Sequence, residues 1–255
     1  MCGRNPLSDP TLGVLLNDLV ASIRGRLGDK LTGLYLWGSY ALGDFDPRIS
    51  DLDLAAALAD DVDEREYAAL DAMHEAFAEA YPTWAGRVEV RYASVATLNA
   101  PADGGEILSI SPGEAFNRRR SEESWLVDWY VLRGRGITLH GRPPAELLAP
   151  IPPDRFVAAV RANVESWDAW GDHVQTLKQQ AYVILLMCRA LYATRHGDQL
   201  SKPGAGRWAQ RELPEWADLI SRAIAWRQAP EDADGAPTEP ETRRFVDAAR
   251  RRILG

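Results

Sequence analysis

The spacing of apolar positions changes along the first 150 residues, and each change marks an element. Over residues 10–27, Leu12, Leu15, Leu16, Leu19 and Ile23 recur at helical spacing and predict an amphipathic helix. Residues 31–37 and 52–58 are short, nearly continuous apolar runs and read as buried strands. Between them, Gly38-Ser39-Tyr40-Ala41-Leu42-Gly43 is a glycine-punctuated turn. Residues 63–80 put Tyr67, Leu70, Met73, His74 and Phe77 on one face, a second helix, ended by Pro82. In residues 88–94, Val88 and Val90 alternate with Glu89 and Arg91, a third strand. Residues 99–113, rich in Pro and Gly, read as a loop or insertion. A helix over 122–133 carrying Trp125, Trp129 and Leu132 then leads to a short strand at 137–140.

Proline clusters at 143–144 and 150–153 set the domain boundary, giving domains 1–150 and 151–255. Beyond it every segment has helical periodicity: 154–167, 174–195, 205–212, 214–226 and 239–254, with a polar break at 229–240. Strands and helices thus mix in the first part and helices alone fill the second.

Composition removes several classes. With 46% apolar and 26% charged residues the chain is neither disordered nor fibrous. No apolar run approaches the roughly 18 residues of a membrane span. Residues 1–10 lack the apolar core of a signal peptide, and Cys2 and Cys188 cannot build a disulfide framework, so a reducing cytoplasm is the expected compartment; the chain is also expected to act as a monomer. The net charge of −8 argues against a nucleic-acid partner, and suits a small cationic one.

The chemistry concentrates in Gly38-Ser39 and Ser50-Asp51-Leu52-Asp53. Two aspartates at i and i+2 on a strand share one face. Paired carboxylates suit Mg²⁺, a hard cation that takes oxygen ligands and keeps several waters. The Gly-Ser turn offers backbone N–H groups and a hydroxyl to a phosphate. If the third strand lies beside the second, Glu89 joins Asp51 and Asp53, and three converging carboxylates need metal or protons. As a strand residue Glu89 could instead pair with Arg87 or Arg91. Arg189, in an apolar helical run, could be a buried, paired structural arginine.

Gly38-Ser39, Gly43 and Ser50-Asp51-x-Asp53, with an acid on a later strand, resemble the signature of the DNA polymerase β-like nucleotidyltransferases. Across Arg133–Gly141, Trp167, Cys188-Arg189-Ala190-Leu191-Tyr192, Gly197, Ser201-Lys202 and Trp208-Ala209, the chain is similar to the aminoglycoside adenylyltransferases that modify streptomycin and spectinomycin. The resemblance implies an α+β fold: a nucleotidyltransferase domain with a mixed sheet, then a helical bundle, with ATP and acceptor bound in the cleft between them. It implies Asp51 and Asp53 as Mg²⁺ ligands, Glu89 as catalytic base near metal and acceptor, and Gly38, Ser39 and Ser50 against the triphosphate. It places Arg189 and Lys202 on nucleotide phosphates and Trp226 near the nucleotide. Trp167 falls at an aromatic position that packs on the aminoglycoside, and Trp125 is a further aromatic candidate. Segment 168–180 is longer than in the drug-modifying members, whose acidic drug contacts fall near the neutral Gln179; Asp168 or Asp172 could substitute. The expected reaction is Mg-ATP-dependent transfer of AMP to an antibiotic hydroxyl, conferring resistance. A protein or RNA acceptor, or a catalytically silent nucleotide-binding protein, are the other readings.

Overall fold

The computed structural model describes residues 6–10, 12–166, 174–228 and 233–255. The chain divides into two compact units, Met1–Ala41 with Phe45–Pro150, and Leu42–Asp44 with Ile151–Gly255. The first contains α1 (Gly13–Leu27), β1 (Leu31–Leu36), α2 (Gly38–Ala41), β2 (Leu52–Leu58), α3 (Glu64–Ala80), β3 (Val88–Ser94), α4 (Val95–Asn99), β4 (Glu106–Ile110), β5 (Asn117–Arg120), α5 (Leu126–Arg135), β6 (Ile137–Gly141) and α6 (Pro144–Leu147). Its six strands form one mixed sheet in the order β5-β4-β3-β2-β1-β6, in which only β2 and β3 pair in parallel.

Alternation along the central strands sorts the sheet into two faces. Leu52, Leu54, Ala56 and Leu58 of β2, with Val88, Val90 and Tyr92 of β3, pack in one core with Leu16, Leu19 and Ile23 of α1 and Leu70, Met73 and Phe77 of α3. Asp53, Glu89 and Arg91, at the intervening positions, therefore lie on the opposite face. α3 starts where its sequence supplies a complete capping box: Asp63 accepts the Arg65 and Glu66 N–H groups, and Glu66 accepts the Asp63 N–H. α1 starts at Gly13 rather than at residue 10, with Asp9 Oδ1 accepting the Leu12 N–H ahead of it.

One further segment differs from the sequence expectation. Residues 99–113 begin at the last residue of α4 and hold β4 rather than a loop throughout, and β4 pairs antiparallel with β3 from Val90↔Ile110 to Ala93↔Ile107. The run Arg118-Arg119-Arg120 belongs to the edge strand β5, where lysine- or arginine-rich sequence suits an exposed ladder. The turn at 38–43 contains the single helical turn α2.

The second unit comprises α7 (Pro153–Glu165), α8 (Leu177–His196), α9 (Lys202–Glu212), α10 (Ala217–Trp226) and α11 (Glu239–Leu254). α8 is its centre, packed by all four others. Buried Gln180 of α8 has every hydrogen-bonding position used: Nε2 donates to the Val174 and Gly235 carbonyls, and Oε1 accepts from the Thr238 and Thr242 hydroxyls. Cys188 is buried in the same helix, and burial pushes its thiol up to about 12, which makes it a packing residue. No described helix is long and apolar enough to cross a membrane.

Candidate active site

The parallel pairing of β2 with β3 sets Asp53 directly opposite Glu89 and Ala55 opposite Arg91. Asp53 is seated against the turn that follows β1. Its main-chain oxygen accepts the Trp37 N–H at 2.9 Å, and its carboxylate fills the space above Gly38. A methyl group on Gly38 would lie 1.9 Å from Asp53 Oδ2, and Gly38 has φ +56°, so only glycine fits here both conformationally and sterically. The next residue, Ser39, has a buried hydroxyl for which the described protein supplies no partner. A buried hydroxyl without a partner is costly, and an anionic oxygen from a ligand would satisfy it.

Asp51 is the more exposed carboxylate, 44% accessible, with Oδ1 3.9 Å from Arg87 Nε. Arg87 fixes the segment that carries it: Nη2 donates to the Pro47 and Ser50 carbonyls, and the guanidinium lies over the Trp84 ring at 4.5 Å. Ser50 is buried, and its hydroxyl accepts the Asp46 N–H at 3.0 Å, so in this arrangement it closes the 46–50 turn.

Glu89 is turned toward Arg91. Arg91 Nη2 stands 2.6 Å from Glu89 Oε1, an ion pair without the alignment of a hydrogen bond, and Nη1 donates to Asp128 Oδ2 of α5 at 2.5 Å. The guanidinium is flanked by Trp37 and Trp125, with ring centroids at 5.1 and 4.7 Å. Burial pushes the Glu89 carboxyl above the ordinary carboxylate range, Arg91 opposes the rise, and Asp128 and Asp51 add to it. Burial acts to lower Arg91, but the carboxylates of Asp128 and Glu89 outweigh it and hold the cation. The sequence allowed a Glu89–Arg91 pair; what it hid is Asp128, 37 residues away in the chain.

The donor chemistry of Asp51 and Asp53 fits a hard divalent cation: two carboxylates at alternate positions, one solvent-reached, beside a glycine cradle and an unsatisfied hydroxyl. Among the described residues, however, no three His, Cys, Asp or Glu side chains are grouped closely enough to hold a metal ion. Glu89 meets Asp53 in register, but its carboxylate is engaged by Arg91.

The second unit contains the remaining sites. Arg189 lies on α8 and Lys202 opens α9, its ammonium 4.4 Å from the Tyr182 ring centroid. Trp226 ends α10, half-buried, with Arg222 over its ring at 5.3 Å. Gln179 completes the capping box of α8: Oε1 accepts the Thr176 N–H at 2.9 Å and the Gln175 N–H at 3.0 Å. Trp125 stacks on Trp129 at 5.9 Å in addition to flanking Arg91. Trp167, Asp168 and Asp172 lie outside the described residues.

A mixed sheet bearing an Asp-x-Asp pair behind a Gly-Ser turn, followed by an all-helical unit, defines a nucleotidyltransferase-type fold. Among solved structures, the crystal structure of the spectinomycin adenyltransferase AAD(9) from Enterococcus faecialis with ATP and spectinomycin shares this fold. The two chains are 16% identical, with a TM-score of 0.75 over 95% of this chain and 99% of that one. Residues 146–252 match the family model of the aminoglycoside adenylyltransferase C-terminal domain.

Proposed function

We propose that this protein is an Mg-ATP-dependent O-adenylyltransferase acting on a hydroxyl of an aminoglycoside or aminocyclitol antibiotic of the streptomycin or spectinomycin type, and that it confers resistance. The observation that carries the chemistry is the register pair Asp53↔Glu89, which puts a metal-type carboxylate and a buried base candidate on neighbouring strands of one sheet face. The family match of residues 146–252 supports the substrate class.

Asp51 and Asp53 would hold Mg²⁺, which when bound neutralises phosphate charge and orients the leaving group. Ser39 Oγ and the Gly38 turn receive triphosphate oxygens, and Arg189 and Lys202 bind phosphate charge. Glu89 accepts the proton of the acceptor hydroxyl, whose oxygen attacks the α-phosphorus as the bond to pyrophosphate breaks. Because Arg91 pairs with both Glu89 and Asp128, it can keep Asp128 as partner while Glu89 turns to the acceptor. Acceptor contacts are assigned to Glu89, Trp125, Trp167 and Gln179, although the Gln179 oxygen already serves the helix cap and leaves its amide as the available donor. Trp226 offers an adenine-stacking face.

The test is transfer of label from α-labelled ATP to individual antibiotics. Asp53→Asn should abolish transfer while the fold, followed by circular dichroism, persists. Glu89→Gln should bind ATP normally and lose about 10²–10⁴-fold in kcat. Wild-type turnover by either variant overturns its assignment.

A further inference from the structure

Arg91 is a largely buried cation on the sheet face that carries the acids. It stands two residues after Glu89 on β3 and so shares its face, and its register neighbours are small on both sides, Ala55 of β2 and Ser109 of β4. Small neighbours leave this part of the face to the guanidinium, which lies 5.1 Å from the Trp37 ring centroid and 4.7 Å from that of Trp125. The two carboxylates that share it are held differently. Nη1 donates an aligned, charge-assisted hydrogen bond to Asp128 Oδ2 at 2.5 Å, whereas Nη2 stands 2.6 Å from Glu89 Oε1 without such alignment. Asp128 belongs to the first turn of α5, where the helix dipole favours an anion, and Trp125 immediately precedes the same helix. The start of α5 therefore brings both a wall and an anchor to Arg91. A buried cation shared by two carboxylates is a poor source of stability, since well-packed apolar side chains of similar volume often do as well. What the arrangement does decide is which carboxylate the cation grips.

We propose that Asp128 is a positioning residue for adenylyl transfer: by taking the aligned hydrogen bond of Arg91, it keeps the guanidinium from closing as a fork on Glu89 and leaves the Glu89 carboxylate free to turn to the acceptor hydroxyl. The inference rests on the reading of Glu89 as the base and adds to it the residue that sets its orientation, acting through Arg91. A guanidinium presents paired N–H groups that match a carboxylate edge-on, and without Asp128 the carboxylate within its reach is that of Glu89. Held by two parallel bonds, Glu89 would be drawn toward Arg91 and away from the acceptor. A lysine at position 91 has no such fork, so the effect of Asp128 depends on the arginine.

Initial rates of AMP transfer from α-labelled ATP by the full chain, with thermal melts of each variant, test the role. Asp128→Asn, nearly isosteric, should lower kcat roughly tenfold, the worth of one charge-assisted contact, while the KM for ATP stays level, and Asp128→Glu should recover part of the loss. In an Arg91→Lys background, Asp128→Asn should change kcat by less than about twofold, because the two residues act as one unit. A crystal structure of Asp128→Asn should show the Arg91 guanidinium closed on the Glu89 carboxylate. Wild-type kcat in folded Asp128→Asn, or an Arg91 that has not moved in its structure, overturns the positioning role. A loss of equal size in the Arg91→Lys background overturns the route through Arg91. Wild-type turnover by Glu89→Gln overturns the base reading and this inference with it. Lost turnover in Glu89→Gln beside wild-type kcat in Asp128→Asn overturns this inference alone and leaves the base reading standing.

Discussion

At the scale of single residues, Gly38 is the most constrained position of the candidate site. Its φ of +56° lies in the left-handed region, and Asp53 Oδ2 occupies the place of a side chain. Gly38→Ala should therefore act twice. The backbone strain should cost on the order of 1 kcal/mol of stability. The displaced Asp53 carboxylate should remove AMP transfer far beyond what that loss of stability explains, and melting temperature measured beside kcat separates the two effects. A variant that melts lower yet turns over normally would show that Asp53 is not held by this approach. Both residues were legible in the sequence, because glycine punctuation and period-two alternation are local signals. The Arg91–Asp128 bond was not, since it depends on where α5 lies against the sheet, and no short-range pattern encodes that.

At the scale of elements, α3 is joined to β3 by a polar contact inside an apolar layer. His74 Nε2 and the Tyr92 hydroxyl are 2.8 Å apart, both buried, with Phe116 against both rings. Burial lowers the His74 pKa to about 4, and Arg26 adds to the shift. The unfolded chain takes up this proton near pH 6.5, while the folded protein resists it until about pH 4. Stability from this site is thus complete above pH 6.5 and falls as pH drops toward 4, by up to roughly 3 kcal/mol. Urea melts at pH 7 and pH 5 should show the loss, and His74→Gln should reduce the difference between them; an equal difference in the variant would place the acid sensitivity elsewhere. Helices such as α3 are readable because a capping box and a 3.6-residue apolar stripe coincide. β4 carries a loop-like sequence because its five residues sit between Gly104-Gly105 and Pro112-Gly113, so turn-forming residues dominate any window that contains it. β5 gives no apolar alternation at all, being Asn117 and three arginines at the sheet edge. Edge strands gain their order from the neighbouring ladder and carry little signal of their own.

At the scale of the whole molecule, a net charge of −8 coexists with Arg189 and Lys202, the cations that the proposed function assigns to nucleotide phosphates. These two facts act on different substrates. In the proposed reaction a cationic antibiotic would be drawn by the overall field, while a nucleotide would have to approach a negative protein and find a local positive site. Raising ionic strength shortens the Debye length from about 10 Å at 0.1 M to about 3 Å at 1 M, which removes the long-range field before it removes close contacts. The KM for a cationic acceptor should therefore rise several-fold over this range while kcat stays nearly level, since Asp53 and Glu89 lie in register on adjacent strands and act at short range. The KM for ATP should rise as well, because the proposed phosphate contacts of Arg189 and Lys202 are charge–charge contacts that salt weakens. Initial-rate measurements at fixed free Mg²⁺ distinguish the two cases. An acceptor KM that stays constant from 0.1 to 1 M salt would mean that recognition lies wholly in close contacts, and the negative surface would then serve solubility alone.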